Sequence, residues 1–346
     1  MPSKPAMQSF HQRFVLTFTL LLSLLLVRAS GAQGDGPARP MPMLRDVHRI
    51  VFLGDSITQA GDYVTDIECW LVAHGIKVEV MNLGLGSETV SDLTAEENAA
   101  HLQAHGFGRP FVSERLNRIL AATKPDLLFA CYGMNDGTGL PSSQTGADRF
   151  AAAVTNLRVA AAEAGVKRIV ICTPPVDDRK GGGEESLVRY TTWLQSKRAA
   201  SWEVVDLHTP MRRALDARRA HDPAFKFAKD GVHPGREGHW LLAREILTQF
   251  FGATLDGVAS AESLFPARGL EIRKLIHERM RVRFEAWMTQ IGHGRPGVAG
   301  GPKAKPGLPL REAEAKVADL TAKIDLALKN HNSAPTDDAG KSTPAR

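Results

Sequence analysis

The chain has 346 residues, 43% apolar and 23% charged, enough for one sizeable α/β core with extra segments or at most two small domains. This composition excludes a disordered chain, a collagen and a multispan membrane protein. The formal charge of +5 falls to 40 bases against 38 acids once Lys4, Arg13 and Arg28 near the N-terminus are set aside, so no electrostatic case stands for nucleic acid or anionic lipid as a partner.

Residues 1–32 read as a secretory signal. Lys4 and Arg13 precede an apolar run over 14–27, and the small residues Ala29, Ser30, Gly31 and Ala32 follow it. The run is shorter than the roughly 20 residues a membrane-crossing helix needs. Cleavage after Ala32 and export to the periplasm or medium are expected, leaving no stable membrane span; an uncleaved anchor is the rival reading. A linker over 33–47 leads into the fold.

From there the pattern alternates. Strand-like runs fall at 50–53, 78–83, Leu127–Cys131, Arg168–Cys172 and 203–206. Most are continuously apolar, as in a parallel sheet covered on both faces. Helix-like stretches lie between them at about 63–74, 112–123, 146–164 and 187–198, and a last core helix at about 236–250. This alternation predicts an open, doubly wound sheet in a domain spanning 48–252, with chemistry at the C-terminal strand ends. Beyond it come a helical extension over 253–291, with a basic helix at 269–291, and a Gly/Pro-rich linker over 292–309. An amphipathic helix over 310–330 carries Ala313, Val317, Leu320, Ile324 and Leu328 on one stripe, and a disordered tail covers 331–346. The stripe predicts packing back onto the domain, with coiled-coil self-association as the alternative.

Polar residues gather at the predicted strand ends: Gly54-Asp55-Ser56, Gly84-Leu85-Gly86-Ser87, Gly133-Met134-Asn135-Asp136 and, after the last strand, Asp230-Gly231-Val232-His233-Pro234. Taken alone, Ser56 could be a helix cap. Together these blocks resemble those of the SGNH (GDSL-like) hydrolases, in order and spacing over 49–250. The first block is Gly54-Asp55-Ser56-Ile57-Thr58, the third Gly133-Met134-Asn135-Asp136 and the fifth Asp230-Gly231-Val232-His233-Pro234.

The resemblance implies a flavodoxin-like α/β/α fold with a five-stranded parallel sheet, and carries Ser56, Asn135, Asp230 and His233 over as functional positions. Ser56 is the expected nucleophile and His233 its base, with Asp230 holding the other ring nitrogen. Oxyanion donors are expected from the Ser56 N–H, the Asn135 carboxamide and either Gly86 or Ser87. The second block departs from the family pattern, because Ser87 stands where those proteins carry Gly; the loop's backbone shape is therefore open. No cofactor or metal is expected.

Other polar residues carry rival readings. Asp55 and Asp136 are expected to bind loop amides. His208 competes weakly with His233, having no acid three residues before it. His101 and His105 have a helical metal-site spacing but lack a third ligand, and read as an exposed pair. Gly181-Gly182-Gly183 reads as a mobile loop, not a phosphate cradle. Trp193, Trp202, Trp240 and Trp287 read as core residues. Cys69, Cys131 and Cys172 read as buried thiols, with a Cys131–Cys172 disulfide as the alternative.

An exported serine esterase is the expected function. The polar stretch over 88–110, with His101, His105 and Arg109, favours an O-acetyl group on carbohydrate, a small-molecule or glycan ester. The rivals are a lysophospholipase or short-chain lipid esterase and, from another class, a non-catalytic carbohydrate-binding protein. The segment over 265–291, with its basic helix, is expected to lie over the active-site mouth and narrow it.

Overall fold

The computed structural model describes residues 44–332. The signal segment 1–32, most of the 33–47 linker and nearly all of the 331–346 tail lie outside the described residues. Strand β1 (Arg49–Gly54) leads into α1 (Ser56–Ala60) and α2 (Asp62–Ala73). Strand β2 (Glu79–Asn82) is followed by α3 (Ala95–His105) and α4 (Leu116–Thr123). Strand β3 (Leu127–Cys131) precedes α5 (Asp136–Gly139) and α6 (Gln144–Glu163). Strand β4 (Arg168–Cys172) precedes α7 (Glu184–Ser196). Strand β5 (Glu203–Val205) leads to α8 (His208–Arg219), α9 (Arg236–Gln249), α10 (Gly269–Ile291) and α11 (Leu310–Asn332).

The strands form one parallel sheet in the order β2-β1-β3-β4-β5, flanked by helices, which is the flavodoxin-like order. All five strands fall on the predicted apolar runs. Ile50, Val51, Phe52 and Leu53 are all fully buried, so β1 needs apolar side chains on both faces and cannot alternate. Phe52 stacks on Phe129 of β3 at 4.7 Å between centroids, and Phe129 meets the edge of Phe250 just past α9 at 5.1 Å. The strand order reverses between β1 and β3, which opens a crevice at their C-terminal ends. Gly54 sits there, and a Cβ on it would run into Thr58 and the Cys131 carbonyl.

Several expectations change. The stretch over 88–110 contains α3, which no apolar stripe announces; it starts at a capping box in which Thr94 and Glu97 each accept from the other's backbone N–H. The helix expected from 112 opens instead with a 3-10 turn over Val112–Glu114 and becomes α-helical only after Arg115. Helix α10 does not lie over the mouth: it packs against α2, β2 and α4, and α11 packs on it. The α11 stripe of Ala313, Val317, Leu320 and Ile324 is buried within the chain, which is the packing-back arrangement.

The 292–309 segment is not a free linker. Gly297 N–H donates to the Pro302 carbonyl, and Arg118 donates to the carbonyls of Ile291 and Gly292. Gly300, at φ +87°, lies against α10 so closely that a Cβ would run into the Met288 carbonyl. The glycines serve close approach rather than freedom. In the Gly181-Gly182-Gly183 stretch, Gly183 N–H donates to Asp177 Oδ2 at 2.7 Å, while Gly181 has open space around it. The three cysteines are buried and free, although Cys131 and Cys172 are register partners on adjacent strands. Trp240 is buried, and Trp193, Trp202 and Trp287 pack half-buried against the core.

One buried ion pair binds these parts together. Arg115 donates to both carboxylate oxygens of Glu88 at 2.6 and 2.7 Å, and to the Leu83 carbonyl at 2.7 Å. The Tyr132 hydroxyl donates to the same carboxylate at 2.6 Å. Both charged side chains are almost fully buried, at 1% and 0% exposure. Removing one partner strands the other charge, so Arg115→Met is expected to cost about 3–5 kcal/mol in urea unfolding, whereas Glu88→Gln with Arg115→Met should cost less than the two single changes combined.

Candidate active site

The chain leaves β1 at Gly54 and turns directly into α1. Asp55 caps that turn, its Oδ1 accepting from Ile57 N–H at 2.9 Å, and the side chain of Ser56 is left half-exposed in the crevice. Ser56 Oγ lies 2.8 Å from His233 Nε2, and His233 Nδ1 lies 2.6 Å from Asp230 Oδ2. The other oxygen of Asp230 accepts from the N–H groups of Val232 and His233 at 2.9 and 2.8 Å. Partial burial alone would raise the Asp230 pKa, but these hydrogen bonds outweigh it and hold the carboxyl at about 2. A carboxylate so placed fixes Nδ1 as the protonated nitrogen and leaves Nε2 free to accept the serine proton.

The second block hooks onto the same turn. Leu85 N–H donates to the Gly54 carbonyl at 2.8 Å, and Asn82 bridges Gly84 N–H and the Thr58 carbonyl. The two amides left open by the sequence now separate. Gly86 N–H is committed to Gln59 Oε1 at 2.5 Å, whereas Ser87 N–H has no hydrogen-bond partner among the described residues. Ser87 adopts φ +67°, the left-handed backbone that Gly would take at no cost, so the loop keeps that shape with a strained residue.

What holds Ser87 is a residue that the sequence reading placed on the surface. His101 is buried, and only His105 of that pair is exposed. His101 Nδ1 contacts the Phe107 carbonyl at 2.9 Å, and Nε2 contacts Ser87 Oγ at 3.2 Å. A carbonyl can only accept, so Nδ1 carries the proton and Nε2 accepts from the Ser87 hydroxyl. Burial pushes the His101 pKa down to about 4, which keeps this neutral tautomer at working pH.

Asn135 completes the group. Its Nδ2 donates to the Glu88 carbonyl at 3.0 Å, which leaves one amide proton uncommitted, and its Oδ1 accepts from Arg109 Nη1 at 2.6 Å. That contact fixes which way the amide faces. Arg109 was visible only as part of a polar stretch, with no spacing to single it out. Asp136, next along, accepts from Val90 and Ser91 N–H groups at 3.3 and 2.9 Å and ties the third block to the second. Asp55 and Asp136 thus both bind loop amides, and burial pushes their pKa values up to about 7 and about 6. His208 is engaged elsewhere, its ring against the Pro174 carbonyl and Glu184. The loop holding Asp177 and Arg179 buttresses the histidine turn, with Asp178 N–H donating to the Gly231 carbonyl at 2.8 Å.

The arrangement is thus a hydroxyl, an imidazole that can take its proton, a carboxylate orienting that imidazole, and uncommitted N–H groups nearby. His233 and Asp230 are about half-exposed, at 51% and 57%, so the crevice is open to solvent. Among the described residues, no group of three or more His, Cys, Asp or Glu stands together as a metal site. No helix of the described residues is long and apolar enough to cross a membrane.

The sequence profile of the GDSL-like Lipase/Acylhydrolase family matches residues 52–241. No curated protein matches the sequence. Among solved structures, the chain is similar to Axe2, an acetylxylan esterase from Geobacillus stearothermophilus, with 22% identity and a TM-score of 0.43, covering 58% of this chain and 93% of that one. It is similar to the lipase/acylhydrolase from Enterococcus faecalis, with 21% identity and a TM-score of 0.42, covering 59% and 96%. It also resembles BT4096, a gut microbial diltiazem-metabolizing enzyme, at 19% identity and a TM-score of 0.44; there it covers 59% of this chain but spans only 46% of that protein.

Two outcomes are expected from this geometry. Asp55 and Asp136 hold protons more tightly folded than unfolded, so their share of stability is present at low pH and is lost as pH rises from about 4 to about 7. Urea unfolding across that range should show Asp55→Asn flattening the dependence; an unaltered slope would refute the assignment. Second, His101→Ala should lower the rate of ester hydrolysis more when residue 87 is Ser than when it is Gly, because Gly holds φ > 0 unaided. Equal losses in both backgrounds would show that His101 does not act through Ser87.

Proposed function

Because the chain belongs to the GDSL-like Lipase/Acylhydrolase family and is a carboxylic ester hydrolase, we propose that it is exported and removes O-acetyl groups from carbohydrate through a Ser56–His233–Asp230 acyl-enzyme mechanism. The observation that carries the mechanism is the 2.8 Å contact between Ser56 Oγ and His233 Nε2, backed by the 2.6 Å contact from His233 Nδ1 to Asp230. His233 takes the hydroxyl proton as Ser56 attacks the acyl carbon, then returns it to the departing sugar oxygen. The negative oxygen that forms is met by the N–H groups of Ser56 and Ser87 and by the free amide proton of Asn135. Water then repeats the sequence on the acetyl-enzyme and releases acetate. Asp230 keeps its charge throughout and stabilises the imidazolium.

Two features support a small acyl group on a polar alcohol. The loops that carry the catalytic group hold polar side chains, with Gln59 on the Gly86 N–H, Arg109 on Asn135 and Thr138, and Arg179 beside Gly231, which suits hydroxyl-rich substrates. The open crevice suits a sugar within a longer chain.

Acetate release from acetylated xylan and hydrolysis of 4-nitrophenyl esters of increasing acyl length, compared with Ser56→Ala, test this reading. Ser56→Ala is expected to lower kcat by about 10⁴- to 10⁶-fold, and Asn135→Ala by about 10²- to 10³-fold. Wild-type rates in Ser56→Ala would overturn the mechanism. A preference for long acyl chains would overturn the acetyl substrate alone.

A further inference from the structure

Two guanidinium groups flank the loops that carry the proposed oxyanion donors. Arg109 reaches Asn135 Oδ1 at 2.6 Å and Thr138 Oγ1 at 3.4 Å. Arg295 comes from the loop after α10 and lies beside Gly86, its Nε and Nη2 at 3.8 and 3.9 Å from where a Cβ on that glycine would stand. It also stacks over the Phe107 ring at 4.5 Å. Phe107 supplies the carbonyl that holds His101, and, after burial, the charges of Arg109 and Arg295 both press the His101 pKa down, so both arginines lie around that ring.

Both guanidiniums are half-buried, and neither has a carboxylate within 4.0 Å among the described residues. Arg115, Arg273 and Arg279, which this fold also draws inward, each sit on a carboxylate. Arg295 Nη1 donates to the Pro296 carbonyl, and its Nε is buried with no hydrogen-bond partner. The acids that act on Arg109 through space, Asp136 and Asp55, spend their oxygens on loop amides and do not touch the guanidinium. Drawing a cation such as Arg295 partly out of water with no carboxylate beside it is unfavourable, and a ligand anion relieves it. A planar guanidinium with free N–H groups matches a carboxylate or a phosphate, through paired hydrogen bonds that a neutral hydroxyl cannot reproduce.

We propose that the acylated substrate carries an anionic group, a carboxylate or phosphate on the sugar or its neighbour, and that Arg295 and Arg109 bind it. This rests on the carbohydrate esterase reading and narrows it to acidic glycans. Arg109 then has two tasks, since it orients Asn135 as well; Arg295 touches neither Asn135 nor the serine turn, and because it packs on Phe107 its loss is read as the change in preference between esters rather than in the rate on any one of them.

The test uses three matched esters: O-acetylated methyl galactoside, its galacturonoside and its 6-phosphate, which differ only at C6. The expected result is a kcat/KM at least about tenfold higher for one of the two anionic esters than for the neutral one, with the preference falling toward unity in Arg295→Met and weakening with added salt. Whichever anion is preferred identifies the charged group. In parallel, calorimetry with Ser56→Ala measures binding of unacetylated digalacturonate and of galactose 6-phosphate, with and without Arg295→Met. Turnover without preference for either anion, or preference that survives Arg295→Met, overturns the inference and leaves the esterase standing. Absence of turnover on all three, with anion binding that Arg295→Met abolishes, overturns the carbohydrate-acetyl reading and leaves the anion site standing. Absence of both removes both.

Discussion

A carboxylate without solvent must find its compensation inside the protein, and Glu88 does so within the loop that shapes the crevice. Its side chain is met by two N–H groups of Arg115 and by the Tyr132 hydroxyl, and its backbone carbonyl accepts from Asn135 Nδ2. Residue 88 thus locks three things at once: the left-handed turn at Ser87, the facing of Asn135, and the junction between the second and third blocks. Arg115 extends the lock outward, because its Nη1 meets the Met288 sulfur on α10. Separating the pair would leave either charge buried and unpaired, so arrangements that part these loops are disfavoured.

Much of this was legible in the sequence, for physical reasons that also explain the gaps. A parallel strand covered on both faces must be apolar without interruption, so 50–53 and Leu127–Cys131 announce themselves. Ser56, Asn135, Asp230 and His233 lie in short, contiguous blocks whose local turns supply much of their positioning, as when Asp230 accepts from the N–H groups two and three residues ahead. Local order is what a sequence displays.

What escaped depends on contacts that no local apolar pattern announces. Helix α3 has no apolar stripe to betray it, only the Thr94–Glu97 capping box, which was there to be read. His101 looks like a surface residue until Phe107 and Ser87 close on it. Arg109 acquires meaning only through an amide 26 residues later. The 292–309 segment misled through composition: glycines signal freedom in a linker, yet at Gly300 the missing side chain lets the backbone rest on α10. The same residue type serves opposite ends, and only the neighbour at the contact distinguishes them.

The extension beyond 252 is therefore part of the crevice's construction. Helix α10 covers α2 and the edge strand β2, and α11 covers α10, so each apolar stripe is buried by the next element. That stack delivers the 292–309 loop to the flank of the second block, where Arg295 meets Phe107. Phe107 in turn holds His101, and His101 holds a serine in a backbone conformation that serine does not favour. The strain at Ser87 is thus balanced by contacts that begin more than 200 residues downstream. A domain ending at 252 would retain the residues of the proposed catalytic group while losing the Arg295 side of the surface beside them.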